Sequence, residues 1–286
     1  MKKLAVMANC SQQRAGEVLD RLGRKAGELG LELLADGATA RLLPQARACD
    51  PPDLFDGVDA VLALGGDGTV LRTARTLDGR DRPILGVNMG GLGFLTSVAE
   101  KDLERAVECL GTGDVCDSRR AVAEGTVVRE GTAVARYRGL NEVILMSSPS
   151  ARLVTLDFAV DDDTGTSGRC DGLIVSTPTG STGHSLSAGG PILAPDAQVF
   201  GISLICAHTL TFRPLVVPDC SVVHVHVSGE RSGMVLSVDG QVGQPLEPGD
   251  SVQVRRSDRD VRFLHLPGYS YFEILRRKLR WSGLNA

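Results

Sequence analysis

Ala60-Val61-Leu62-Ala63-Leu64-Gly65-Gly66-Asp67-Gly68-Thr69-Val70 is the stretch that decides the fold. Five consecutive apolar residues suit a short strand covered on both faces. The glycines break that strand, and a helix is expected from about Val70 to Leu77. In an open α/β sheet such a turn lies at the carboxyl edge, where ligands bind. Glycine lets the backbone approach a phosphate closely, and the amides opening the next helix attract anions. A carboxylate repels phosphate, so Asp67 needs a reason to be there. It can accept a proton from an attacking hydroxyl, hold the metal that accompanies a nucleotide phosphate, or bond its own backbone within a Gly-Asp-Gly turn. The pentapeptide Gly65 to Thr69 does not choose among these.

Outward from this stretch, the first hundred residues alternate strand and helix signals. Leu4 to Ala8 reads as a buried strand. Ser11 is placed to cap a helix reaching about Leu29, with Val18, Leu19, Leu22 and Leu29 on one side and Gly30 as terminator. Pro83 precedes another buried strand, Ile84 to Val87, and Lys101 to Leu110 is an amphipathic helix. Repeated strand–helix units predict a doubly wound parallel sheet over residues 1–117. After about Ser118 the pattern changes to short β-branched segments such as Thr126 to Arg129, Leu153 to Val160, Val222 to Val227, Met234 to Val238 and Val252 to Arg255. Their spacing predicts an all-β sandwich or barrel over residues 118–268. Tyr271 to Trp281 turns helical again, with Phe272, Leu275 and Leu279 at helical spacing. A helix there has little to pack on locally, so residues 269–286 are expected to return to the first domain.

Composition narrows the function. The 286 residues are 42% hydrophobic and 23% charged, as in a soluble globular protein, and the formal net charge is −4. Phosphate-backbone binding normally shows as a basic excess or stripe, so nucleic acid is not an expected partner. Seven cysteines with no C-x-x-C pair read as reduced thiols of a cytoplasmic protein. The apolar run after Met1-Lys2-Lys3 is too short for a signal-peptide core, and no stretch of about 18 apolar residues occurs, so no membrane partner is expected.

No G-x-x-x-x-G-K-[ST] loop is present, which disfavours a P-loop kinase. Gly86-Val87-Asn88-Met89-Gly90-Gly91-Leu92-Gly93 is a weak dinucleotide fingerprint but a second glycine-rich turn on the same sheet edge. A longer constellation runs from Asp171 to Ile192, where a short apolar strand opens into hydroxyls and glycines around a single histidine, His184. Such small polar residues suit the lining of a polar ligand. His224 and His226 share one face of a strand without a third ligand nearby, so both read as ordinary imidazoles. His208 reads as structural, Asp161-Asp162-Asp163 as a solvated hairpin tip, Arg255-Arg256 as a charged strand edge, and Trp281 as an anchor for the last helix.

Taken together, these segments resemble the NAD kinase family. The resemblance rests on Gly65 to Thr69, Asn88 to Thr96, Asn141-Glu142, Asp171 to Ile192, and Ala207-His208-Thr209-Leu210 followed by Arg213-Pro214-Leu215. Val238-Asp239-Gly240-Gln241 and Tyr271 to Trp281 add weaker support. The first motif is shared with sphingosine, diacylglycerol and phosphofructo-kinases, whereas the 171–192 segment is far more selective. The resemblance implies an α/β N-terminal domain, a β-sandwich C-terminal domain that binds NAD, and transfer of a phosphoryl group to the 2′-hydroxyl of NAD's adenosine ribose. It gives Asp67 the activation of that hydroxyl, with Gly68 beside it at the nucleotide. Asn141 and Glu142 contact the dinucleotide, and Arg152, Arg169, Asp171, Thr182, Gly183, His184, Ser185, Leu186, Ser187 and Gln241 line its site. It also implies ATP or polyphosphate as donor, Mg²⁺ or Mn²⁺, and a homodimer or homotetramer. One departure is plain: Gly183-His184 occupies a position where the family commonly has Ala-Tyr. A lipid kinase shares the glycine–aspartate loop but needs an apolar entrance; the 4% aromatic content and the polar 171–192 segment argue against it.

Overall fold

In a computed structural model of the chain, residues 1–91, 93–148, 154–208, 211–227 and 233–281 are described. Two compact units emerge: Met1–Arg119 together with the chain from Val261 onward, and Arg120–Asp260.

The first unit is built on strands β1 (Lys3–Ala8), β2 (Glu32–Ala35), β3 (Arg47–Ala48), β4 (Ala60–Gly65), β5 (Ile84–Asn88), β6 (Val98–Ala99) and β7 (Cys116–Arg120). The sheet order is β3-β2-β1-β4-β5, followed by the strand Val261–His265 and then β7, with β6 also paired to β5. Pairings from β3 through β5 are parallel. Every residue of β4 is buried, as its unbroken apolar run requires. Side chains alternate along a strand, so Ala60, Leu62 and Leu64 share one core with helices α1 (Ala15–Glu28) and α4 (Leu103–Thr112). Val61 and Ala63 point to the opposite face. Helix α3 (Asp67–Leu77) packs on β4 and β5 and buries Val70, Leu71, Ala74 and Leu77.

Several local expectations need correcting. Ser11 does not cap α1; its amide and hydroxyl donate instead to Asn9 Oδ1, and the helix begins four residues later with no side-chain cap. Leu29 is exposed, because the helix ends before it. Helix α3 begins at Asp67 itself, so the carboxylate opens the helix rather than preceding it. The strand Val261–His265 pairs in parallel with β5 and belongs to the first unit, although the expected bounds of 118–268 placed it in the second. In the last helix, Tyr271–Lys278, Ile274 and Leu275 are the buried residues and Phe272 is exposed; Trp281, beyond the helix end, is exposed as well rather than an anchor.

The second unit contains β8 (Ala123–Arg129), β9 (Thr132–Gly139), β10 (Glu142–Ser147), β11 (Val154–Val160), β12 (Thr166–Cys170), β13 (Gly172–Ser176), β14 (Val199–Ile205), β15 (Leu215–Pro218), β16 (Val223–Val227), β17 (Met234–Val238), β18 (Val242–Leu246) and β19 (Ser251–Arg256). They form two six-stranded sheets, β15-β14-β13-β10-β17-β18 and β12-β11-β16-β19-β8-β9. Inward residues of both sheets, among them Val143, Leu145, Leu173 and Val175 against Leu156, Phe158, Val225 and Val254, make one core. The second unit is therefore a β-sandwich. β16 shows the alternation plainly: its three valines are buried while His224 is half-buried and His226 exposed. Arg255-Arg256 is not an edge. β19 lies between β16 and β8, where Arg255 pairs with Glu124 and Arg256 with Asp219 and Asp260. All seven cysteines are free thiols. Among the described residues no helix is long and apolar enough to cross a membrane.

Candidate active site

The strand order of the first sheet reverses between β1 and β4, so the loops leaving these two strands open a crevice at the carboxyl edge. The strand ends are tied together where the Asn9 amide donates to Leu64 O at 2.8 Å. A polar cavity of about 300 Å³ lies there, lined by Asn9, Gln12, Gly66, Gly68, Thr69 and Arg72. Among the described residues that line it, Arg72 is the charged one, and one guanidinium nitrogen donates to Ala8 O at 2.8 Å. This cation, the polar side chains and the opening turn of α3 together suit a phosphate chain. Asn9, Gln12 and Arg72 carried no sequence signal of their own, because they converge only once the strand order is known.

Asp67 sits half-buried at the first position of α3, where a carboxylate also matches the positive end of the helix dipole. It does not bond within its own turn. Its Oδ2 accepts the Phe94 amide at 2.8 Å and its Oδ1 the Leu95 amide at 2.9 Å. The second glycine-rich turn is thus the holder of the first. That turn is organised by Asn88, whose side-chain amide donates to Gly91 O at 2.6 Å and to Thr96 Oγ1 at 3.0 Å while its Oδ1 accepts from the Gly90 amide. Glycine is required at position 93 for space: a Cβ there would run into the Asp67 carboxylate and Thr96 Oγ1. Each carboxylate oxygen keeps a further lone pair for a proton or a cation.

In the second unit, the start of β10 meets the segment after β13. Asp239, in the turn between β17 and β18, accepts the amides of Leu140, Asn141 and Glu142 at 2.9, 2.8 and 3.1 Å and fixes that start. Thr177 clamps it from the other side, its amide donating to Asn141 O and its hydroxyl to Leu140 O. Gly180 is packed so tightly against the Asn141 backbone that no side chain fits. Glu142 is 1% exposed, and its Oε1 lies 2.8 Å from His184 Nδ1. Burial pushes the Glu142 carboxyl above the ordinary range, the His184 hydrogen bond opposes this, and Asp239 adds to it. Three buried polar atoms here have no hydrogen-bond partner: Glu142 Oε2, Asn141 Oδ1 and Thr179 Oγ1. Buried groups in that state are made good by a ligand or water.

Asn141, Glu142, Gly183 and His184 therefore come together, and the ring of His184 reaches toward Gly240, next to Gln241. Thr182 and Leu186 are half-buried and Ser187 exposed, but Ser185 is buried against Ser203. Much of the hydroxyl-rich run is structural: Ser176, Thr177 and Ser181 are buried and bond to backbone carbonyls. Arg169 faces a different cavity of about 460 Å³, with His208, Phe212 and Arg213, and Asp171 bonds the Cys206 thiol and holds its pKa up. Arg152, like Leu92 and Thr209-Leu210, lies outside the described residues.

Fold and site define a nucleotide-binding class: an α/β unit with a polar, cationic crevice at its switch point, and a β-sandwich with unsatisfied acceptors. Residues 8–115 match the ATP-NAD kinase N-terminal domain and residues 140–266 the ATP-NAD kinase C-terminal domain. The NAD kinase of Syntrophotalea carbinolica is 39% identical over 284 residues, covering 99% of each chain, and that of Geobacter metallireducens 40% over 283 residues with the same coverage. The chain belongs to the ATP-NAD kinase family. Its fold is shared with a yeast NADH kinase solved with NADH, at TM-score 0.92 and 21% identity, covering all of this chain and 89% of that one. An Archaeoglobus fulgidus NAD kinase solved with ATP follows at 0.77 and 24%, covering 98% of this chain and 100% of that one.

Proposed function

We propose that this protein phosphorylates the 2′-hydroxyl of the adenosine ribose of NAD, taking the terminal phosphoryl group of ATP or polyphosphate and releasing NADP. The observation that carries the reading is the Asp67 carboxylate, held at the start of α3 by two amides of a second glycine-rich turn, in a chain of this family. Asp67 accepts the proton of the attacking hydroxyl as the oxygen–phosphorus bond forms. Phosphoryl transfer passes through a loose transition state, so positioning and charge neutralisation contribute more than proton removal. Arg72 and the start of α3 supply positive potential for the donor phosphates. Asn141, Glu142, Gly183, His184 and Gln241 hold the dinucleotide, with the three unsatisfied acceptors receiving its hydroxyl and N–H groups. Gly68, Arg152, Arg169, Asp171, Thr182, Ser185, Leu186 and Ser187 remain proposed contacts, in a cytoplasmic homodimer or homotetramer. Ser185 acts from beneath, since it is buried.

A divalent cation, Mg²⁺ or Mn²⁺, fits as a companion of the donor. Among the described residues no cluster of three or more His, Cys, Asp or Glu could hold one alone. Asp67 offers one carboxylate with spare lone pairs, and Mg²⁺ is commonly held by one or two carboxylates plus substrate phosphates. Bound there, the cation would neutralise charge on the donor.

Incubating the purified protein with Mg²⁺, NAD and either ATP or polyphosphate, and assaying NADP, tests the reading. NADP is expected with at least one donor; its absence with both overturns the proposal.

A further inference from the structure

The turn that holds Asp67 needs holding itself. Gly90, Gly91 and Gly93 belong to it, and glycine leaves the backbone free to rotate. On its inner side Asn88 bonds Gly90, Gly91 and Thr96, and the Gly93 amide donates to Thr96 Oγ1 at 3.2 Å. Those bonds end at Gly93 and Thr96, on either side of Phe94 and Leu95, whose amides carry the Asp67 carboxylate. The Phe94 ring is half-buried, and Lys278, the final residue of the last helix, places Nζ 5.3 Å from its centroid. That lies within the ~6 Å over which a ring face attracts an ammonium.

The support behind Lys278 is firm and belongs to the same unit as Asp67. Ile274 and Leu275 of the last helix are buried, and Ser270 Oγ caps it by accepting the Glu273 amide at 3.3 Å. The strand ahead of the helix pairs with β5, from which the turn itself leaves. Just past the turn the packing is open, because Ser97, Val98 and Ala99 share a cavity of about 340 Å³ with Ile274 and Arg277. Along Ser97 to Ala99 the helix thus stands off from the chain, whereas at Phe94 a side chain crosses to it. Ring and amide belong to one residue, so a ring held in place restricts the direction in which the Phe94 N–H points.

We infer that Lys278 is a positioning residue for phosphoryl transfer: its ammonium, seated on the Phe94 ring, steadies the amides that aim the Asp67 carboxylate. The inference rests on the reading of Asp67 as the group that takes the hydroxyl proton. Because Lys278 acts through Phe94 and not on a ligand, its loss lowers kcat and leaves KM for NAD and for the donor unchanged. The contact is exposed on the lysine side, where a cation over a ring changes an equilibrium by roughly 2–5-fold.

Two variants of the full-length protein test this. Lys278→Met keeps a stem of similar length and removes the charge; Lys278→Arg restores a cation for the ring. Lys278→Met is expected to lower kcat by ~2–5-fold and to speed hydrogen exchange at the Phe94 and Leu95 amides by a similar factor. Lys278→Arg is expected to recover both. In a Phe94→Leu background, which keeps the amide and removes the ring, Lys278→Met is expected to change kcat no further. Unchanged exchange in Lys278→Met overturns the inference, as does equal loss in the Met and Arg variants. A rise in KM at constant kcat also overturns it, by making Lys278 a ligand contact, and so does full additivity with Phe94→Leu. If the wild type makes no NADP with either donor, the proposed function fails, while the exchange rates still decide whether Lys278 steadies the turn.

Discussion

The two carboxylates at the centre of the molecule's chemistry are held in opposite ways. Asp67 has both oxygens tied to backbone amides of a neighbouring turn and sits half in solvent at the head of a helix. Glu142 is buried, with one oxygen tied to a histidine side chain and the other without a hydrogen-bond partner. Backbone amides cannot titrate and move little, so the first arrangement fixes a position. A histidine partner and an open acceptor leave a valence to be filled, so the second is made to receive something. A carboxylate that acts on a substrate and one that recognises it need different surroundings, and this chain supplies both.

The sharpest way to break this contrast is at Asp67. Asp67→Asn is expected to cut turnover by ~10²-fold or more while NAD affinity changes little, as read from kcat and a binding isotherm. It also turns an amide group toward two amide donors, so the loop loses an acceptor. Gly93→Ala tests the holder rather than the carboxylate. The added methyl displaces Asp67, and a fall in kcat of ~10–100-fold is expected, again without loss of NAD binding. If Gly93→Ala turned over normally, the rigid clamp would be irrelevant to chemistry.

In the second region, Asp239→Asn replaces one of the two carboxylate oxygens that together accept three amides with a donor group. A stability loss of ~1–3 kcal/mol in denaturant melts is expected, together with a higher KM for NAD. Arg72→Ala is expected to raise the KM for the donor by ~10-fold and leave NAD binding alone; an effect on NAD instead would move Arg72 to the wrong substrate. The smallest effect concerns pH. The folded carboxyl of Glu142 is raised above the ordinary 4.5, so the folded state binds its proton more tightly than the unfolded chain does. Its contribution to stability is then present below 4.5 and lost as pH rises through the folded value. Glu142→Gln is expected to flatten the stability slope, visible in melts just above pH 4.5 against the wild type.

What the sequence revealed follows the range of the forces involved. The strand character of residues 60–64 and the alternation in the valines of β16 are local, and both were legible. Glycines at 65–68 and 90–93 were legible as tight turns, but not as partners, because the bonds from Phe94 and Leu95 to Asp67 span more than two dozen residues. Asn9, Gln12 and Arg72 stayed hidden for the same reason: the strand order brings them together. The pairing of His184 with Glu142 required knowing that β10 runs beside β13. The hydroxyls of Ser176, Thr177 and Ser181 misled in the opposite direction. Their composition suggested a ligand lining, yet in the fold Ser176 and Ser181 bond to carbonyls of their own segment and Thr177 to Leu140 O beside it.

The strand Val261–His265 has a consequence for how the chain is made. It slots between β5 and β7, pairing Phe263 with Ile84, yet it leaves the ribosome only after the entire sandwich has been synthesised. Until then the nascent first sheet is interrupted, with β5 paired to β4 and β6 but open where Val261–His265 will lie, and β7 having no place to attach. Domains usually fold in the order of their synthesis. Here the sandwich emerges complete and is free to fold first, while the unit carrying Asp67 waits for one of the last strands translated.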